Sequence, residues 1–138
     1  MAQASQLQSG MGMATILLVE DEDLLREGVQ EILEHNGYSV VQASDGVQAL
    51  EYMDRLPVSL VISDLVMPRM SGIDFIRQMR ERFPRLPVIV ASGSPNAVMQ
   101  RMGIDSIQVP GATASIMKPF RSADLLTLVQ RVLAGGSE

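Results

Sequence analysis

Apolar residues fall into two alternating kinds of stretch along the chain. Short runs that are apolar almost throughout cover 15–19, 39–42, 60–63, 88–91 and 115–117. Runs of that length and composition suit strands buried on both faces. Between them, apolar positions recur at steps of three and four, the period of a helix with one buried stripe. Leu25, Val29, Ile32 and Leu33 share a face in the first such stretch, which Asn36-Gly37 closes. Val47, Leu50 and Met53 mark the second, which stops before Pro57. Ile73, Ile76, Met79 and Phe83 mark the third, with Ser71 as N-cap, Asp74 three residues on and Pro84 as the stop. Phe75 falls one residue off that stripe and is expected to be partly exposed. A weaker helix is expected at 95–102. The last carries Leu125, Leu128, Val129 and Val132, opened by Ser122 and closed by Gly135-Gly136.

Five strand–helix units in series predict an α/β domain: a doubly wound, five-stranded parallel sheet with helices on both faces. No internal repeat or second domain is visible. The domain is expected to span 14–135. Residues 1–13, rich in Gln, Ser and Gly, read as a disordered arm, and 136–138 as a tail. In open sheets of this kind, sites form beyond the carboxyl ends of the strands.

Composition narrows the classes. Of 138 residues, 46% are hydrophobic and 20% charged, enough for one folded core. A net charge of −5 without a basic patch argues against direct nucleic-acid contact. With no cysteine there are no disulfides, no thiolate catalysis and no zinc–sulfur site, which fits a reducing compartment. The apolar runs are far too short to span a membrane, and the first residues lack the pattern of a secretory signal. A cytoplasmic location is expected.

The chemistry collects at strand ends. The first run stops at four consecutive acids, Glu20 to Asp23. Asp64 ends the third run, Ser92 the fourth and Lys118 the fifth. Adjacent strands lie about 5 Å apart, so these ends can converge on one pocket. Glu20, Asp21 and Asp64 would repel one another unless a cation sat between them. An all-oxygen donor set open to water suits Mg²⁺. Asp64 then becomes a carboxylate nucleophile toward a phosphoryl group, with Lys118 neutralising the phosphoryl oxygens and Ser92 hydrogen-bonding one of them.

Other features read as structural. Glu22 and Asp23 are acids favoured at a helix start, and His35 is favoured in a last turn. Ten methionines are core and loop filler. "GMGMAT" at 10–15 lacks a third glycine and precedes a strand, so it is no dinucleotide motif.

Four pieces in order, "LLVEDED", "SDLVMPRMSG", "VIVASG" and "IMKPF", make the sequence over about residues 14–135 resemble the receiver domain of two-component response regulators. The resemblance implies a flavodoxin-like strand order 2-1-3-4-5. It implies Asp64 as phospho-acceptor, Asp21 as a direct Mg²⁺ ligand, Glu20 assisting through water, and the backbone carbonyl of Val66 as a further ligand. Ser92 becomes the switch hydroxyl, and Lys118 pairs with Asp64 and then with the phosphate. Pro119 is expected after a cis bond, and Met67, Pro68 and Gly72 shape the loop beside Asp64. The partners implied are a sensor histidine kinase or phosphotransfer protein and an output partner of unknown kind; a homodimer is compatible. The protein would catalyse only its own phosphorylation and dephosphorylation.

Two departures stand out. The family's switch aromatic lies three residues before the lysine, where this chain has Ser115. The stretch from Ser92 to Lys118 is a few residues long for the family and is broken by Gly103, Pro110 and Gly111. These features keep open a receiver-like binding module that does not switch. A small phosphohydrolase or a flavodoxin-like ligand binder is a further alternative. Val66 stands where such a hydrolase would carry a second aspartate, and no glycine-rich phosphate loop follows the first strand.

Overall fold

A computed structural model of the chain describes residues 14–92 and 109–135. The expected arm at 1–13, helix at 95–102 and tail at 136–138 lie outside the described residues. The strands are β1 (Thr15–Val19), β2 (Ser39–Ala43), β3 (Leu60–Asp64), β4 (Val88–Ser92) and β5 (Ala114–Met117). The described helices are α1 (Asp23–His35), α2 (Gly46–Arg55), α3 (Gly72–Arg82) and α4 (Ser122–Leu133). The sheet is wholly parallel in the order β2-β1-β3-β4-β5, as the family resemblance implies.

Strand periodicity divides the interior into two cores. Leu17, Val19, Val61, Val88 and Val90 point to one face, where α2 and α3 contribute Ala49, Leu50, Met53, Ile76 and Met79. Ile16, Leu18, Leu60, Ile62 and Ile89 point to the other, covered by Val29 and Leu33 of α1 and by Leu125, Val129 and Val132 of α4. Alternate residues of the central strands β1, β3 and β4 are therefore buried on opposite sides, which is why those runs are apolar almost throughout.

The helix boundaries have local causes. Ser71 caps α3 by accepting from the Asp74 amide at 3.2 Å. Asp45 caps α2 by accepting from the Gln48 amide at 2.9 Å. Gly37, at φ 93, takes the left-handed turn that ends α1.

Two expectations about helix faces need correction. Val47 is 41% exposed, and the buried stripe of α2 runs through Gly46, Ala49, Leu50 and Met53. Val47 lies about 100° round the helix from Gly46, and a small alanine holds the core position instead. Phe75 is fully buried, not partly exposed. α3 packs close enough to α2 that Phe75 sits beneath Gly46, where an added Cβ would lie 3.0 Å from that of Phe75.

Candidate functional site

The register levels the carboxyl ends. Val19 pairs with Ala43 and Ser63, Asp64 with Ala91, and Ser92 with Met117. Glu20, Asp64, Ser92 and Lys118 therefore meet at one rim. The Glu20 amide donates to Ala43 O at 3.0 Å, and the Lys118 amide to Ser92 O at 2.8 Å, so pairing continues to the site itself.

One carboxylate oxygen each of Glu20, Asp21 and Asp64 lies within 4.8 Å of the other two. Glu20 is buried, Asp64 half-buried and Asp21 exposed. The Lys118 ammonium donates to Glu20 Oε1 at 2.7 Å and approaches Asp64 Oδ2 at 3.3 Å. The second Glu20 oxygen accepts from the Glu22 amide at 3.2 Å, and Asp64 Oδ1 accepts from the Leu65 amide at 2.8 Å.

The electrostatics follow from burial and crowding. Burial pushes the Glu20 carboxyl above the ordinary range, and the Asp64 charge adds to that, although Lys118 opposes it. Burial works against the Lys118 ammonium, yet its bond to Glu20 and the fields of both acids outweigh this and raise its pKa. One ammonium among three carboxylates leaves the rim net negative. An all-oxygen donor set with one member open to water fits Mg²⁺ better than a softer metal.

The other singled-out residues take these places. Ser92 is buried at the end of β4, and its hydroxyl has no hydrogen-bond partner among the described residues. Val66 and Pro68 are exposed on the loop after β3, while Met67 turns inward. Gly72 closes that loop by donating to Leu65 O at 2.7 Å. A Cβ there would stand 2.3 Å from Asp64 O, so only glycine fits. The Lys118–Pro119 bond is cis. Ser115 is half-buried on β5, opposite Val90.

Three relationships escaped the sequence. Lys118 is nearer to Glu20 than to Asp64. Arg26 donates to Glu20 O at 2.7 Å and to Asp23 Oδ1 at 2.7 Å, bracketing the acidic turn. Asp45 accepts from the Arg69 guanidinium. The cap at Asp45 was legible in "SDGVQ", an acid just before a helical run. Nothing in the sequence marks Arg69.

Comparison with known proteins agrees with this geometry. The family model for the response regulator receiver domain matches residues 16–130. The sensor kinase CckA of Brucella abortus is 38% identical over 124 residues, which are 88% of this chain and 13% of that protein. The response regulator RR06 of Streptococcus pneumoniae is 35% identical over 119 residues, 86% of this chain and 51% of that protein. The chain thus spans about half, or much less, of the curated relatives it matches. Among solved structures, a CheY-like receiver domain protein from Methanospirillum hungatei superposes with a TM-score of 0.76 at 26% identity, covering 89% of this chain and 95% of that one. The receiver domain of a sensor histidine kinase from Pseudomonas aeruginosa, solved with magnesium coordinated in its active site cleft, gives 0.77 at 27% identity, covering 88% and 98%. In sequence, strand order and the acids at its rim, this chain belongs to the response regulator receiver domain family.

Proposed function

We propose that Asp64 accepts a phosphoryl group from a phosphohistidine of a sensor histidine kinase or phosphotransfer protein. The observation that carries this is the convergence of Glu20, Asp21 and Asp64 with an ammonium 3.3 Å from Asp64 Oδ2. An Asp64 carboxylate oxygen attacks phosphorus, and an O–P bond forms as the N–P bond to imidazole breaks with its electron pair going to the nitrogen. Glu20, Asp21, Asp64 and the Val66 carbonyl would hold Mg²⁺, which supplies positive charge against the phosphoryl oxygens. Lys118 loses part of its pairing with Asp64 and gains a phosphoryl oxygen instead. The buried, unpartnered Ser92 hydroxyl is placed to donate to another. Water later cleaves the acyl phosphate, releasing phosphate and restoring the carboxylate. The chain turns over no separate metabolite.

The product carries about −1.5 to −2 charge where one carboxylate stood. Binding it draws Ser92 and Lys118 inward and moves the loop after β5, the signal to an output partner. The receiver domain spans 14–135 and works in the cytoplasm. Incubation with labelled acetyl phosphate and Mg²⁺ tests the assignment: wild type takes up label and Asp64→Asn does not. Label retained by Asp64→Asn defeats it.

A second reading is a receiver-like binding module that does not switch. Ser115, in place of an aromatic, favours it. Beryllofluoride decides between them: amide shifts at Ser92 and along β5 that move with it support the switch, and shifts that stay put support the module. Gel filtration of the same samples reports homodimer formation.

A further inference from the structure

We infer that Asp45 and Arg69 form a positioning pair that sets the loop after Asp64 for cation and phosphoryl binding; this rests on the receiver chemistry proposed above. Asp45 is only 1% exposed. One of its carboxylate oxygens caps α2 through the Gln48 amide, and the other accepts from the Arg69 guanidinium. Arg69 stands at φ 68, a left-handed conformation that L side chains avoid. A non-glycine residue persists there only when its surroundings over-determine it. The buried acid supplies that constraint.

The pair sits between both acid-bearing loops. Arg69 belongs to the loop that leaves β3 at Asp64 and carries Val66. At the other end of the β2–α2 turn, Ala43 O accepts from the Glu20 amide at 3.0 Å. The turn itself is closed by the Ser44 amide donating to Gln48 Oε1 at 2.8 Å. Residues 43–45 therefore touch the loop of Glu20 and Asp21 on one side and the loop of Asp64 on the other. The start of α2 also lies flush on the second loop, since a Cβ on Gly46 would meet Met70 Sδ at 2.9 Å.

Most ion pairs with an exposed partner carry little energy. This one differs because the acid is buried, so its charge depends on both its partners, the Gln48 amide at the helix start and the guanidinium. Arg69 cannot leave without stripping the second Asp45 oxygen of its guanidinium partner. The spacing between the Val66 carbonyl and the three acids is thereby held by a contact that touches neither cation nor phosphoryl group. Supporting contacts of this kind are worth about tenfold or more in metal affinity.

The test separates cap, backbone and charge. Asp45→Asn keeps an oxygen for the Gln48 amide and removes the charge. Arg69→Gly suits the backbone and removes the guanidinium. Arg69→Lys keeps a cation. Each variant is compared with wild type by thermal unfolding, by calorimetric titration with MgCl₂ well below its Tm, and by label uptake from acetyl phosphate. Asp45→Asn and Arg69→Gly are expected to raise the Mg²⁺ Kd about tenfold, with Arg69→Lys recovering part of the loss. A lowered Tm with an unchanged Kd in both overturns the inference and leaves a purely structural clamp. A wild-type protein that takes up neither Mg²⁺ nor label defeats the receiver chemistry itself, and the inference with it, so the two failures are distinguishable.

Discussion

Lys118 is bound more closely to Glu20 than to Asp64, at 2.7 Å against 3.3 Å. The side chains of Lys118 and Glu20 are only 14% and 6% exposed, so neither is well served by water. The ammonium bridges the two acids and lies nearer to Glu20. Lys118→Met removes the one cation within ion-pair distance of Glu20 and Asp64 among the described residues and leaves two sheltered carboxylates uncompensated. It should destabilise the metal-free protein by about 2 kcal/mol in urea unfolding.

The raised Glu20 carboxyl sets a pH dependence. A group whose pKa is higher in the fold than in the unfolded chain stabilises the fold fully below the unfolded value, here near 4.5, and loses that contribution as pH rises through the folded value. Glu20→Gln carries no such titration. In chelator-containing buffer, wild type should therefore gain stability relative to Glu20→Gln on going from pH 7 to pH 4. A difference in unfolding free energy that stays flat, or moves the other way, contradicts the cause given for the shift.

Asp21 should count chiefly once magnesium is bound. Without metal, Asp21→Asn relieves repulsion in the cluster and should leave stability unchanged or slightly raised, because Asp21 is exposed and screened by water. With Mg²⁺ at ten times its Kd, wild type should gain about 1.4 kcal/mol by mass action, and Asp21→Asn much less. Thermal unfolding with and without MgCl₂ reads both effects.

Two glycines should respond oppositely to alanine. A Cβ on Gly72 would stand 2.3 Å from Asp64 O and 2.7 Å from Leu65 Cα, so Gly72→Ala must displace the backbone of Asp64 itself. A loss of about 3 kcal/mol is expected, together with reduced phosphoryl uptake. Gly28 lies within α1 with nothing inside 4 Å of an added Cβ. Gly28→Ala should stabilise by about 0.5–1 kcal/mol and leave uptake unchanged.

Ser92→Ala removes a buried hydroxyl that has no partner among the described residues. The unphosphorylated protein should keep its stability or gain up to about 1 kcal/mol. The beryllofluoride complex should be weakened. Calorimetric titration with beryllofluoride, set beside urea unfolding, checks both signs.

The strands were legible because burial left few polar residues inside them, Gln42, Ser63 and Ser115 being the interior exceptions. Their ends were legible because Glu20, Asp64, Ser92 and Lys118 break those runs abruptly. Helix faces were read less well. Ala49 is too small to mark a stripe, so Val47 took its place, and Phe75 needed the approach of α2 to explain its burial. The meeting of the acids followed from topology alone, but which acid holds Lys118 did not, since a difference of 0.6 Å between two contacts leaves no trace in spacing. Asp45 and Arg69 lie 24 positions apart, and an arginine at φ 68 carries no local signature.

The two-sided burial of β1 has a mechanical consequence. Ile16 and Leu18 are keyed into one core, Leu17 and Val19 into the other. A slip of one position would exchange both sets at once, so the strand has no soft direction along its own axis. Glu20, the next residue, is indexed to that immovable rod. The end of β1 is thus the fixed datum of the rim, and any movement of Ser92 or Lys118 is measured against Glu20.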